Sequence, residues 1–321
     1  MGSTVTHLEA VQAARKTVSG KIERTPTRRI AGSDLDPRLD GLELVFKCEM
    51  FQKTGSFKIR GVLNKLASLS PEEKARGVVA MSSGNHAQAV AFGARMEGVP
   101  AAIVMPSYAV QYKIDATRAL GADIVMCESQ DLIATYMRTT QERDAVAIHP
   151  FDDPTVFSGA GTLGLELLED APDLDAAIVC AGGGGLLAGV ATAIKSSKPD
   201  TRIVGVEPEG ACAIRKSLDA GEMVTLSSVD TIADGLAPPF TGEHVMERVR
   251  QYVDDVAVVT DDEIREAMRL VIERLRLVVE PSGAAALAGL LTGRVGVSPG
   301  DVVGVTLSGG NINAERLKQL L

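Results

Sequence analysis

A chain of 321 residues exceeds what one compact core ordinarily encloses, so two lobes are expected. Apolar residues at 45% and charged residues at 23% fit a water-facing globular protein, and a net charge of −9 with no basic stripe argues against nucleic-acid binding and for small-molecule work. Cys48, Cys127, Cys180 and Cys212 are far apart with no CxxC spacing, which argues against a zinc or redox motif and for buried thiols in a reducing compartment.

The N-terminus carries Glu9, Arg15 and Lys16 with no apolar core, so no secretory signal is read and a cytoplasmic location is expected. Met1-Gly2-Ser3-Thr4-Val5-Thr6 formally fits a myristoylation pattern and is read as chance or a cloning remnant. Thr6-His7-Leu8-Glu9 has the form of a capping box, with a helix from there to Gly20. Residues 42–48 alternate and read as a strand. The loop Phe51 to Gly61 follows, then a helical stretch to about Leu69.

Ser70-Pro71-Glu72-Glu73 starts another helix. Strands are then expected near 77–82, 101–105, 123–127 and 145–148, separated by helices near 86–97, 110–119 and 130–143. A second series has strands near 176–181, 202–206, 255–259 and 302–307, with helices near 159–169, 186–196, 209–220, 262–277 and 282–291. Thr260-Asp261-Asp262-Glu263 gives one more capping box, and residues 236–243 with Pro238 and Pro239 read as a surface loop. Strands alternating with helices imply an α/β protein with open, twisted, mostly parallel sheets covered on both faces. Residues 1–70 and 151–321 are expected to form a large domain, and 71–150 a small one. Residues 176–194 are uncharged and almost long enough to span a membrane, but their glycines favour strand, loop and helix, and no membrane partner is expected.

Four stretches carry candidate chemistry. Gly182-Gly183-Gly184-Gly185 lies between a strand and a helix, where converging N–H groups and the helix terminus would cradle a phosphate. Gly183-x-Gly185-x-x-Ala188 also satisfies a dinucleotide fingerprint, with Glu207 placed to hold a ribose, so a dinucleotide, another phosphate and a purely structural turn all stay open. Lys58 sits between Phe57 and Ile59, with Lys53 and Arg60 near in sequence. An apolar wall and nearby cations would both disfavour its ammonium form and make it a nucleophile for a carbonyl. A reactive lysine paired with a phosphate cradle suggests pyridoxal phosphate. Ser82-Ser83-Gly84-Asn85-His86 after one strand suits a carboxylate, or is an ordinary helix cap; Ser308-Gly309-Gly310-Asn311 after another is a ligand loop or a plain turn.

Gln52 to Gly61, Ser82 to His86, the tetrad 182–185, Thr231-Ile232-Ala233-Asp234-Gly235, Glu280-Pro281-Ser282-Gly283 and Leu307 to Asn311 together resemble the serine/threonine dehydratase and serine racemase family of fold-type II pyridoxal-phosphate enzymes. They cover nearly the whole chain, and they demote the dinucleotide reading. The resemblance implies the tryptophan synthase β-like fold and a homodimer or homotetramer. It implies that Lys58 joins the cofactor aldehyde and moves the Cα proton, that Phe57 packs on the ring, and that Asn85 holds the ring hydroxyl. Gly182, Gly183, Gly184 and Gly185 would hold the phosphate, Ser308 would hydrogen-bond the ring nitrogen, and Glu280 would belong to the same cofactor site. Ser82, Ser83, Asn85, His86 and Gly235 would receive the amino acid, with Ser83 as the acid/base opposite Lys58, which makes racemisation possible.

Two departures bear on this. Metal-binding relatives carry an acid where this chain has Ala213, so a divalent ion loses a hard oxygen ligand, leaving Glu207 and the Ala211 carbonyl for a weaker or monovalent ion. Dicarboxylate-binding relatives carry an arginine near the position where Ile133 and Ala134 stand, and Ala237-Pro238-Pro239 replaces a more polar loop, which favours a less polar β-hydroxy side chain. The expected activity is an ammonia-lyase acting on L-threonine or L-serine. Serine racemisation or another β-hydroxy substrate is the alternative, and a dinucleotide oxidoreductase or a non-catalytic phosphate binder stands further off.

Overall fold

The computed structural model describes residues 7–107 and 109–321. The myristoylation-like start and Thr6, the expected cap of the first helix, lie outside the described residues; that helix runs His7–Val18. The strands in chain order are β1 (Thr27–Ala31), β2 (Glu43–Cys48), β3 (Val78–Met81), β4 (Ala101–Pro106), β5 (Asp123–Cys127), β6 (Val146–Ala147), β7 (Ala176–Cys180), β8 (Arg202–Pro208), β9 (Asp255–Val259) and β10 (Val302–Leu307). Among the described residues they form two sheets, ordered β1-β2-β10-β7-β8-β9 and β5-β4-β3-β6. Only β1 against β2 is antiparallel; all other pairings are parallel. Helices cover both faces, so β7 and β10 are buried along their whole length.

The topology decides which loops meet. β2, β10 and β7 are neighbours, and their carboxyl ends lead to the lysine loop, to Ser308 and to the glycine tetrad. In the smaller sheet β3 and β6 are neighbours, and they lead to Ser82 and to Pro150. Ligands collect at strand carboxyl ends in open parallel sheets, and here both sheets point theirs at one cleft.

Close helix crossings hold the loops in place. A Cβ on Gly159, in the helix Pro154–Asp170, would lie 2.6 Å from the Arg60 carbonyl in the helix Lys58–Ala67. A Cβ on Gly189, in the helix Gly185–Ser197, would lie 2.1 Å from the Phe157 carbonyl. Helix Pro154–Asp170 therefore touches both the helix that begins at the lysine and the one that follows the tetrad.

Several elements differ from the sequence expectations. β1 carries Arg28 and Arg29 and gives no apolar alternation; it exists because β2 offers an edge, and Arg28 donates to the Leu275 carbonyl. Helices Glu243–Tyr252 and Ala314–Leu320 were not anticipated. The helix expected over 262–277 is α-helical only over Asp261–Leu270, then widens to a π turn at Val271–Leu275 and ends at Arg276 with φ 59°. The capping boxes at Ser70 and Thr260 are both formed. No described helix is long and apolar enough to cross a membrane, and the uncharged run 176–194 divides into β7 and the helix after the tetrad.

Candidate active site

The cleft between the two sheets encloses about 310 Å³. Lys58, Ser83, Asn85, Gly182–Gly185, Glu280 and Ser308 all line it. Their assembly starts with backbone pairing: Ser56 forms an antiparallel bridge with Gly309, and the Phe57 amide donates to the Ser308 carbonyl at 3.1 Å. These contacts bring the lysine loop and the Ser308 loop together across some 250 residues of chain.

Lys58 is the first residue of its helix, and its Nζ donates to the Pro150 carbonyl at 2.8 Å. Nζ lies 5.1 Å from the centroid of the Phe57 ring. Burial of the ammonium pulls its pKa down to about 8, with Cys180 and Glu280 opposing the shift. The neighbouring cations have no part in this, which corrects the sequence argument. Lys53 pairs with Glu23 at 3.8 Å, and Arg60 turns away into a buried pair of carboxylates.

The tetrad is shaped by the protein as much as by any ligand. Cβ atoms on Gly182 and Gly183 would lie 2.6 Å from the Leu236 Cα and 2.2 Å from the Phe151 ring. Gly184 has φ +85°, a left-handed conformation that strains other residues. The helix it opens, Gly185–Ser197, has no side-chain cap. The first N–H groups of a helix have no partner within it, so these are left facing the cleft with the positive end of the dipole.

Asn85 begins the helix Asn85–Glu97. Its Nδ2 donates to Glu280 Oε1 at 2.6 Å, and its Oδ1 accepts from Asn311 Nδ2 at 2.8 Å. Glu280 is buried, which pushes its carboxyl up to about 7; the Asn85 bond opposes this and Asp234 adds to it. Ser82 Oγ accepts from the Gly84 amide at 3.1 Å, and the Gly235 amide donates to Ser282 Oγ at 2.9 Å. Ser83 lines the cleft, and its hydroxyl has no hydrogen bond to the described residues. His86 is buried with its pKa pulled down to about 3, chiefly by burial and then by Lys58. Its Nε2 lies 3.1 Å from the Ile148 carbonyl and must carry the proton there, which leaves Nδ1 as a bare acceptor. His86 therefore brings no positive charge to a carboxylate.

The cation ligands read from sequence take a different form. Glu207 is fully buried, which pushes its carboxyl up to about 8. Its two oxygens accept the amides of Ile214 and Arg215 at 2.9 and 2.7 Å, capping the helix Ala213–Ala220. Ala211 is buried too. Among the described residues no group of three His, Cys, Asp or Glu could hold a metal ion. The same cap overturns the dinucleotide reading, because a carboxylate turned into a helix end is not available to a ribose.

Some cleft residues had escaped sequence reading. Pro150 and Phe151 follow β6, so the rule of strand carboxyl ends could have found them. The expected surface loop supplies Pro238, Pro239 and Phe240 as a wall. Lys113 lines the cleft and pairs with Asp234 at 2.6 Å; nothing local singles it out. Cys180 also lines the cleft, with Sγ 3.2 Å from Ser308 Oγ.

A buried lysine with a lowered pKa for an aldehyde, an uncapped helix end for a phosphate, and a hydroxyl and an amide between them fit pyridoxal phosphate. Fold and site thus define a fold-type II enzyme of that cofactor. Residues 18–309 match the pyridoxal-phosphate dependent enzyme family, and the chain belongs to it. L-threonine ammonia-lyase of Thermotoga maritima is 41% identical over 317 residues, 98% of this chain and 78% of that protein. Serine racemase of Oryza sativa is 40% identical over 314 residues, 95% of this chain and 91% of that protein. The structure of maize serine racemase superposes with a TM-score of 0.92 at 39% identity, covering 98% of this chain and 97% of that one. The protein is thus a pyridoxal-phosphate enzyme of the threonine deaminase and serine racemase group.

Proposed function

We propose that the protein removes ammonia from L-threonine or L-serine by β-elimination, giving a 2-oxo acid. The carrying observation is that Lys58 Nζ lies in one cleft with the uncapped helix end at Gly185 and the Ser308 hydroxyl. Likeness to L-threonine ammonia-lyase supports the lyase reading. Pyridoxal phosphate, when bound, supplies an aldehyde for an amine and a conjugated ring that draws electron density from Cα.

This chain's residues would do the rest. The N–H groups at the start of Gly185–Ser197 bind the phosphate. Asn85, fixed by Glu280 and Asn311, presents its amide to the ring hydroxyl, and Phe57 covers the ring. Ser308 meets the ring nitrogen as a neutral hydroxyl, which cannot hold a proton there as a carboxylate would. Ser82, Ser83 and Gly235 line the space for the amino acid. Lys58 Nζ, with its pKa lowered to about 8, takes the Cα proton. The β-hydroxyl departs as water, the proton it needs balancing the one Lys58 has taken from Cα; a water returned on hydrolysis releases the 2-oxo acid and ammonia. On this reading residues 71–150 are a small lobe that carries Ser82–His86 toward the larger one. The protein acts as a cytoplasmic homodimer or homotetramer, on family likeness alone.

A second activity, serine racemisation, is favoured by one observation. Ser83 Oγ lines the cleft with no hydrogen-bond partner among the described residues, free to carry a proton to the face away from Lys58. Incubation with L-threonine and L-serine, scoring 2-oxo acid and D-serine separately, tests both activities. Absence of 2-oxo acid from both substrates would refute the lyase reading. Ser83→Ala should abolish D-serine while leaving 2-oxo acid formation within about ten-fold; D-serine formed undiminished would remove Ser83 from the acid/base role.

A further inference from the structure

Cys180 is the last residue of β7, directly ahead of Ala181 and the tetrad, and it is 2% exposed. Its Sγ lies 3.2 Å from Ser308 Oγ. The groups facing it are Ser308, Thr306, Glu280 and Lys58. Burial pushes the thiol up to about 11, so it keeps its proton at neutral pH and acts as a donor. Ser308 is itself buried, and its hydroxyl has one proton to give. Among the described residues that proton can reach the Ser282 carbonyl, at 3.4 Å, which is long for an O–H···O bond, or the Cys180 sulfur at 3.2 Å, which is a weak acceptor. With the thiol donating to it, the serine oxygen is engaged, while its own proton is weakly held and can turn into the cleft. A hydroxyl that accepts a hydrogen bond becomes a better donor, because chained bonds polarise one another.

We propose that Cys180 is a positioning residue whose thiol, by donating to Ser308 Oγ, fixes the Ser308 hydroxyl as a donor to the pyridine nitrogen of pyridoxal phosphate. This deepens the proposed function and rests on its placement of Ser308. With its proton turned toward the ring, the serine offers the nitrogen a hydrogen bond without transferring a proton to it. Without the thiol, the serine is free to turn its proton to Ser282 and offer the nitrogen nothing.

The test uses the holoenzyme and the variants Cys180→Ala, Cys180→Ser and Ser308→Ala. The readouts are the absorbance and fluorescence of bound pyridoxal phosphate across pH, and its dissociation constant. Cys180→Ala should shift the bound-cofactor spectrum in the same direction as Ser308→Ala and weaken cofactor binding by roughly three- to ten-fold, the worth of one hydrogen bond. Cys180→Ser keeps a donor at that position and should restore both. If Ser308→Ala changes the spectrum and Cys180→Ala does not, the positioning role is wrong and the placement of Ser308 stands. If Ser308→Ala changes nothing, the placement itself fails. Should Cys180→Ala not fold, Cys180→Ser with a spectrum like that of Ser308→Ala would overturn the proposal, and with an unaltered spectrum would support it.

Discussion

Arg60 lies two residues beyond the cleft lysine and is fully buried. Its guanidinium bonds Glu49 twice at 2.8 Å, Glu166 at 2.7 and 2.9 Å, and Thr162 Oγ1 at 3.1 Å. Lys47, also fully buried, reaches Glu166 at 2.8 Å. Arg60→Met keeps the stem and removes the charge, leaving Glu49 with Thr25 as its remaining side-chain partner among the described residues. Breaking a buried pair from one side costs about 3–5 kcal/mol, because the remaining charge is stranded. With a urea slope of about 4 kcal/mol/M for a chain of this size, the denaturation midpoint should fall by about 1 M. The pH dependence separates this cause from lost packing. Burial alone would push the Glu166 carboxyl up, but Arg60 and Lys47 hold it below the usual range. Its contribution is therefore present above the unfolded pKa and lost as pH falls through the lower folded value. In Arg60→Met the carboxyl keeps Lys47 but loses the larger part of that hold, so the deficit against the parent should be largest near pH 7 and narrow toward about pH 4.5 as the group takes a proton. A deficit under about 1 kcal/mol at neutral pH, or one that does not narrow in acid, would refute the reasoning.

Two further outcomes are expected. The apoprotein should take up pyridoxal phosphate faster as pH rises, with a midpoint near 8, because only neutral Lys58 attacks an aldehyde; stopped-flow absorbance measures it, and a midpoint above about 10 would show an ordinary lysine. Gly183→Ala drives a Cβ to 2.2 Å from the Phe151 ring, which His149 holds edge-on at 4.6 Å, so it should cost about 1–3 kcal/mol and weaken cofactor binding. Melting curves with and without pyridoxal phosphate read both effects, and an unchanged pair would mean that Phe151 moves aside freely.

Much of the site was legible before any coordinates. Lys58, the tetrad and Ser308 each sit in short motifs that follow strands, and an alternating strand and helix pattern sends such loops to one edge. The lowered Lys58 pKa comes from burial, not from Lys53 and Arg60. The tetrad glycines are demanded by Phe151, Leu236 and Val245, residues that no local pattern connects to them.

The sequence by itself determined the α/β class, most strand and helix positions, and the lysine and glycine motifs that the fold brings to one cleft. Periodicity, caps and glycine runs are local, and they act within a few residues. Only the tertiary structure decided that Glu207 caps a helix, that Lys113 meets Asp234 across the cleft, and that the Cys180 thiol reaches Ser308. The last two pairs join residues more than a hundred positions apart, and the Glu207 cap depends on how the chain turns after β8. Which polar atoms meet is set by strand order and helix crossing, and neither is written in the spacing of any single segment.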